Sequence, residues 1–154
     1  MPRHRIAAEA VIAAPPGVAY AVIADYRDGH PHILPRPPFV SLDVEEGGIG
    51  AGTVIRFQMR MLGTTRTMRS AITEPEPGRV LIESDLKGDV VSTFTIDPVD
   101  DGRKARVTIA TEMSVLGRPF GWLQRRLITR LLRPVYVREI AQLEAVARDR
   151  AKNG

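Results

Sequence analysis

The sequence predicts an α+β fold in which antiparallel strands pack around one long helix near the C-terminus. Two observations support this prediction. Apolar residues recur at steps of three and four between residues 119 and 152, which is the period of a helix with one buried stripe. Several earlier segments alternate apolar and polar residues and are separated by turns rich in Gly, Pro and Asp, as is typical of strands with one buried face.

The predicted elements follow in the order strand, two short helices, six strands and the long helix. The first strand ends where residues 14–17 (Ala-Pro-Pro-Gly) interrupt the alternation. Pro16 suits the first turn of a helix, because its missing N–H would have no helical partner there. The strands are expected at 5–13, 39–46, 53–61, 65–74, 79–85, 90–97 and 104–114, and the short helices at 17–24 and within 28–34.

Alternation assigns one face of each strand to the interior. In the third strand, Ile55, Phe57 and Met59 share a face. A two-residue hairpin loop pairs odd positions of this strand with even positions of the next, so Arg66 and Met68 are expected beside them. The rest of the predicted inner face comprises Ser70, Ile72, Val80, Ile82, Ser84, Ser92, Phe94, Ile96, Val107, Ile109, Thr111 and Met113.

In the long helix, the buried stripe is assigned first to Leu127 and Leu131 and then, after a shift of phase, to Tyr136. Pro134 lies between the two parts and is expected to kink the helix, because it removes one backbone hydrogen bond. Arginines are concentrated in the first half of this helix. Two interpretations remain open, a solvated face whose arginine stems cover apolar surface and a surface attracted to anionic lipid or another acidic partner.

Composition excludes several classes of protein. With 44% hydrophobic and 26% charged residues, the 154-residue chain is expected to form one globular domain over residues 1–154. It has no cysteine, which excludes disulfides and cysteine–zinc sites and is compatible with the expected cytoplasmic location. No apolar run is long enough for a transmembrane helix. Three histidines do not form a metal motif, no cofactor is expected, and the low aromatic content of 5% argues against nucleic-acid binding.

The order of the elements and several short motifs resemble the helix-grip fold of the START/Bet v 1-like (SRPBCC) superfamily, which includes the polyketide cyclase/dehydrase and lipid-transport families. The motifs include the Ala-Pro-Pro sequence at 14–16, the Asp25-Tyr26 pair, the segment 30–35 (His-Pro-His-Ile-Leu-Pro) and the turn 75–78 (Pro-Glu-Pro-Gly). The resemblance spans nearly the whole chain. It implies a curved sheet of about seven strands around the long helix, enclosing a cavity for a sterol, lipid, quinone, polyketide or plant hormone.

The leading hypothesis is therefore a non-catalytic protein that binds or transports a hydrophobic small molecule, with transient contact with an anionic membrane during exchange. Arg66, Ser70 and Tyr136 are expected to meet the polar end of the ligand. An apolar cavity with a few polar groups is the usual form of such a site. The predicted ligand-binding residues are Ile55, Phe57, Met59, Arg66, Met68, Ser70, Ile82, Phe94, Ile109, Leu127, Leu131 and Tyr136.

Two alternatives stay open. A polyketide cyclase or dehydratase would use the same cavity, with Arg66 polarising a carbonyl and Tyr136 moving a proton. Such an enzyme needs a positioned acid or base, but the alternation places no Asp or Glu on the inner face, and His30 and His32 are expected on an exposed loop. A protein-interaction module would instead have a filled core and bind its partner through the basic helix face.

Overall fold

The computed structural model describes residues 2–153, and its elements follow the predicted order. Seven strands, two α-helices and one 3-10 turn are formed, which confirms the predicted fold class. The bounds are β1 Arg3–Ile12, α1 Pro16–Ala24, the 3-10 turn His30–His32, β2 Phe39–Glu46, β3 Val54–Met61, β4 Thr64–Glu76, β5 Val80–Asp85, β6 Val90–Val99, β7 Lys104–Ser114 and α2 Gly121–Asn153.

The strands form one antiparallel sheet in the order β1-β7-β6-β5-β4-β3-β2. The β3–β4 hairpin has the predicted two-residue loop, with positive φ angles of 52° at Leu62 and 75° at Gly63. Phe57 is therefore paired with Met68, and Met59 is paired with Arg66. The predicted register of this hairpin is confirmed.

The face assignment of β5 was wrong. Glu83 pairs with the buried Ile72 of β4, so Glu83 lies on the inner face of the sheet. Ile82 pairs with Thr73 and Thr93 on the outer face, and the predicted inward positions of Val80, Ile82 and Ser84 are corrected. The physical reason is that the inner face of this strand carries two acidic residues, whereas Val80 and Ile82 lie on its outer face. The alternation of apolar residues in β5 therefore predicts the outer face as the buried one.

Helix α2 packs mainly against β1 and α1, and it is continuous through Pro134. Its inner stripe in the first half is formed by Ile128 and Leu132, which pack against the core. The predicted inward position of Leu127 was wrong, because this side chain is 47% exposed. At 3.6 residues per turn, positions 128 and 132 continue the stripe of Tyr136 without any change of phase.

The core lies between the inner face of the sheet, α1 and the second half of α2. The buried side chains of the second half of α2 are Val135, Tyr136, Glu139, Ile140, Leu143 and Ala147. They meet buried residues of β1 and α1, among them Ile6, Ile12 and Ile23. Among the described residues, no helix has an apolar stretch long enough to cross a membrane.

Candidate ligand-binding and acid–base site

A row of polar side chains crosses the inner face of the sheet. Glu83 of β5 is paired with Ser92 of β6, which in turn is paired with Thr111 of β7. The Ser92 and Thr111 hydroxyl oxygens are 2.8 Å apart, and the Tyr136 hydroxyl of α2 donates a hydrogen bond of 2.6 Å to Thr111 Oγ1. The row therefore links three strands and is joined to the long helix.

The inner face differs on the two sides of this polar row. On one side, Leu81, Phe94 and Ile109 are almost completely buried and form part of the filled core. On the other side, beyond Ser70, the paired residues Phe57 and Met68 are only half-buried. The polar row thus separates a filled core from an apolar surface that is partly open.

The first half of α2 lies over the open side of the sheet. His4 of β1 is paired with Met113, which is the next inward-facing residue of β7 after Thr111 on that side of the polar row. The His4 ring nitrogen Nε2 is 2.8 Å from the Thr129 hydroxyl, which fixes this part of the helix above the strand. Ile128 and Leu132, on the inner side of this part of the helix, are partly buried and pack against the core.

Three further ionisable side chains meet Glu83 at its end of the polar row. Tyr26 donates a hydrogen bond of 2.6 Å to Oε2 of Glu83. The Nε2 atom of His30 is 3.6 Å from the same oxygen and 3.9 Å from Oε1 of Glu139. Tyr26, His30 and Glu139 are buried, whereas the Glu83 side chain is 13% exposed. Among residues 2–153, no group of three or more His, Asp or Glu side chains is arranged to hold a metal ion.

His30 is held in place by the segment that follows α1. Its Nδ1 is 2.8 Å from the Ile23 carbonyl oxygen, which can only accept, so Nδ1 carries a proton and Nε2 is turned towards the two carboxyl groups. The ring stacks on Tyr26 with centroids 4.5 Å apart and meets the Phe94 ring edge to face. Gly29 is required before it, because a Cβ atom at this position would collide with the Val22 carbonyl oxygen.

Burial controls the protonation of this cluster. It raises the pKa of Glu139 well above the usual value, and the negative charge of Glu83 raises it further. Burial also raises the pKa of Tyr26, and the neighbouring Glu83 carboxylate adds to that shift. The pKa of Tyr136 is raised mainly by burial. The two tyrosines therefore remain hydrogen-bond donors, and Glu139 keeps its proton at a pH where an exposed glutamate has lost it.

Comparison with known proteins gives the family. The model of the family described as "Polyketide cyclase / dehydrase and lipid transport" matches residues 3–148. The chain belongs to this family. No curated protein sequence matches it.

Solved structures of this family's fold superpose over nearly the whole chain. The KanY protein is 24% identical with a TM-score of 0.82, covering 96% of this chain and 99% of its own. The Zhui aromatase/cyclase from Streptomyces sp. R1128 is 17% identical with a TM-score of 0.78, covering 97% and 96%. A START superfamily protein from Mycobacterium smegmatis is 14% identical with a TM-score of 0.72, covering 95% and 98%. The helix-grip fold that the sequence predicted is confirmed.

The structure distributes the predicted ligand-binding residues of this family member over several environments. Ile82 lies on the outer face of the sheet, and Leu127 lies on the outer side of α2. Arg66 is on the inner face but exposed, at the open end of the β3–β4 hairpin. Phe57, Met59, Met68 and Leu131 are half-buried, and Ile55, Ser70, Phe94, Ile109 and Tyr136 are buried. Their roles as ligand contacts stay predictions.

The acid–base cluster was missed by the sequence analysis. The expectation that no Asp or Glu faces inward was wrong, because Glu83 of β5 and Glu139 of α2 both do. The expectation of an exposed His30 was also wrong, because this residue is 2% exposed. One signal in the sequence was available, since Glu139 continues the inner stripe of α2 one turn after Val135.

The arrangement can bind a polar group and transfer a proton. Glu83 and Ser92 are the partly exposed members of the polar row, since Thr111 and Tyr136 are more deeply buried. Behind them, an imidazole nitrogen faces a carboxyl group whose pKa is raised by burial, so this carboxyl group holds a proton that it can donate.

Proposed function

We propose that the protein binds a hydrophobic small molecule, lipid-, quinone- or polyketide-like, in the cleft between the sheet and the first half of α2. The observation that carries this proposal is the polar row Glu83–Ser92–Thr111, which stands between a filled core and a half-buried apolar surface. A ligand with an apolar body and a carbonyl or hydroxyl group at one end is complementary to this arrangement, because its body would cover the apolar surface and its polar end would meet the polar row. Membership of the polyketide cyclase/dehydrase and lipid transport family supports it.

In the proposed complex, the body of the ligand lies on Phe57, Met59 and Met68, and its polar end reaches the polar row. Methionine suits such a surface, because its flexible side chain adapts to ligands of different shape. Arg66 stands at the open end, where it would meet an acidic or carbonyl group without being desolvated completely. The remaining proposed contacts and supporting residues are Ile55, Ser70, Phe94, Ile109, Leu131 and Tyr136, and to these we add the partly exposed Ser92, Met113 and Leu132.

Native mass spectrometry of the purified protein, followed by solvent extraction, tests this proposal. A reproducible added mass that yields a lipid, quinone or polyketide on extraction is the expected result. A clean mass of the protein alone, together with no thermal shift across a panel of those three classes, would overturn the proposal. That outcome would favour the protein-interaction module with a filled core.

Acid–base catalysis on a polycarbonyl substrate, as in a cyclase or dehydratase, is a second candidate. The specific observation in its favour is the Glu139 carboxyl group, with its raised pKa, 3.9 Å from Nε2 of His30. In an aldol cyclisation, such a pair would take a proton from the nucleophilic carbon, which forms a bond to the carbonyl carbon, and would give a proton to the resulting alkoxide. In the dehydration that follows, it would take a second proton from the same carbon and give one to the hydroxyl, which departs as water. The structural similarity to an aromatase/cyclase also supports this candidate.

A linear polyketide thioester distinguishes the enzyme from the carrier. The enzyme converts it to a cyclic or aromatic product, whereas the carrier binds it unchanged. In the enzyme, Glu139→Gln should lower turnover by about 10²–10⁴-fold and leave binding of the thioester intact. Glu112→Gln, at an exposed position of β7, is the matched control. For both candidates we also propose that residues 1–154 form a single domain and that the protein is located in the cytoplasm.

A further inference from the structure

Large apolar side chains that nothing covers among the described residues lie immediately before α2 and on the outer side of its first half. Phe120 is 65% exposed, Trp122 60% and Leu123 53%. A surface depression of about 370 Å³ is lined by Trp122, Leu123, Arg126, Leu127 and Arg130. We call these five residues the outer helix patch. Contiguous exposed apolar residues of this kind mark a surface that meets another surface.

The residues of the outer helix patch are not among those that pack against the core. Ile128 and Leu132 on the inner side of the same half-helix contact the core, and Thr129 is bonded to His4. The half-helix therefore has two apolar sides, of which the fold uses one. A second apolar side on a short helical segment has no structural role inside this protein.

The charge around the outer helix patch restricts what can cover it. Between residues 115 and 138 the sequence has no Asp or Glu, and its arginines there are Arg118, Arg125, Arg126, Arg130, Arg133 and Arg138. A symmetric contact with a second copy would bring these arginines close to one another and is disfavoured. An anionic bilayer provides both an apolar layer for the side chains and negative headgroups for the guanidinium groups.

We propose that the outer helix patch docks the protein on an anionic lipid bilayer. Trp122, Leu123 and Leu127 enter the interfacial region of the bilayer, and Arg126 and Arg130 contact the headgroups. An indole at the membrane–water interface is a preferred arrangement, because the ring is apolar and its N–H is polar. Ile128 packs against the core on the opposite side of this half-helix, so docking would place the proposed cleft beside the membrane surface.

That position would serve ligand exchange, and this part of the inference rests on the proposed function. Docking itself does not depend on the ligand and can be measured without one. The two proposals can therefore be refuted independently. Binding of a small molecule in solution tests the proposed cleft, and binding to empty vesicles tests the outer helix patch.

Trp122 is the single tryptophan of the chain and reports directly on the outer helix patch. The protein is mixed with vesicles of phosphatidylcholine alone or of equal parts phosphatidylcholine and phosphatidylglycerol. Tryptophan emission should shift to shorter wavelength and the protein should co-sediment only with the anionic vesicles. Arg126→Gln and Arg130→Gln should each weaken binding about fivefold, and added salt should weaken it further.

Leu123→Ser and Leu127→Ser should reduce the wavelength shift and the bound fraction. Val11→Ser is the matched control, because Val11 is 46% exposed on β1, close to the 47% of Leu127, and should bind as the unchanged protein does. Equal binding of all three variants would overturn the proposal. The proposal would also be overturned if the protein were a dimer whose tryptophan already emits at short wavelength without vesicles. A response of Trp122 emission to polyuridylate, but not to anionic vesicles, would overturn it as well.

Discussion

The Tyr26 hydroxyl donates a hydrogen bond of 2.6 Å to Oε2 of Glu83, across 57 positions of sequence. This bond joins the segment after α1 to the fifth strand. It also provides a partner for a carboxylate on the inner face of the sheet, where an unpaired charge would cost several kcal/mol. His30 stacks on the same tyrosine, so the bond contributes to holding the imidazole beside both carboxyl groups.

Replacing Tyr26 by Phe should destabilise the fold by about 1–3 kcal/mol, because the Glu83 carboxylate then loses its donor while still facing the interior. Denaturation with urea measures this loss. The double variant Tyr26→Phe with Glu83→Leu should lose less than the sum of the two single changes, because it removes both polar partners. Strictly additive losses would show that the two side chains do not interact.

The raised pKa of Glu139 makes stability depend on pH in a direction opposite to that of a salt-bridged carboxylate. The usual value is 4.5, and the folded protein holds the proton to a higher pH. Above pH 4.5 the unfolded chain releases this proton while the folded chain keeps it, so the folded state binds more protons and stability falls as pH rises. The cost is absent below the usual value and grows towards the folded pKa.

Glu139→Gln should remove this cost. Relative to the unchanged protein, the variant should gain stability progressively as the pH is raised above the usual glutamate value of 4.5 towards the raised pKa of the folded protein. Thermal or urea denaturation at several pH values measures the difference, with Glu112→Gln on the exposed face of β7 as the control. Parallel stability curves for Glu139→Gln and the unchanged protein would contradict the assignment of a raised pKa.

The alternation of apolar residues was sufficient to predict most of the fold. β2 and β7 have the predicted bounds, and the β3–β4 hairpin has the predicted loop and register. These elements have one apolar and one polar face, so local pattern and tertiary burial agree. The predicted helix 119–152 differs from α2 by two residues at its start and one at its end.

The site could not be predicted in the same way, because its residues contradict the local pattern. Glu83 reads as a solvent-facing residue between Ile82 and Ser84, yet it lies on the inner face, where the distant Tyr26 donates a hydrogen bond to its carboxylate. Leu127 reads as a buried residue, yet it is exposed on the outer side of α2. In both cases the pairing with a distant segment decides the orientation, and a single sequence does not contain that pairing.

Gly29→Ala should destabilise the fold by at least about 2 kcal/mol and displace His30, because the added Cβ would collide with the backbone carbonyl of Val22. Gly17→Ala is a suitable control, since no atom lies within 4 Å of a Cβ at that position in α1. It should be neutral or stabilising by up to about 1 kcal/mol. Urea denaturation gives both values, and the imidazole NMR signals of His30 report the displacement.

Two half-buried apolar residues, Met68 and Ile82, lie on opposite faces of the sheet. Met68 faces the proposed cleft, whereas Ile82 lies on the outer face. Met68→Gln should weaken the binding of anilinonaphthalene sulfonate, used as an apolar probe, roughly tenfold, because a polar amide would replace part of the apolar surface. Ile82→Gln should change the affinity by less than about twofold, because its side chain has no contact with the cleft.

Fluorescence titration of the folded variants gives both affinities, and far-ultraviolet circular dichroism confirms that each variant is folded. Equal weakening by both substitutions would mean that the probe reports general loosening of the sheet. Weakening by Ile82→Gln alone would place the binding surface on the outer face, where Thr93, Thr95 and Thr108 line a depression of about 240 Å³. Only selective loss in Met68→Gln agrees with a ligand held between the sheet and α2.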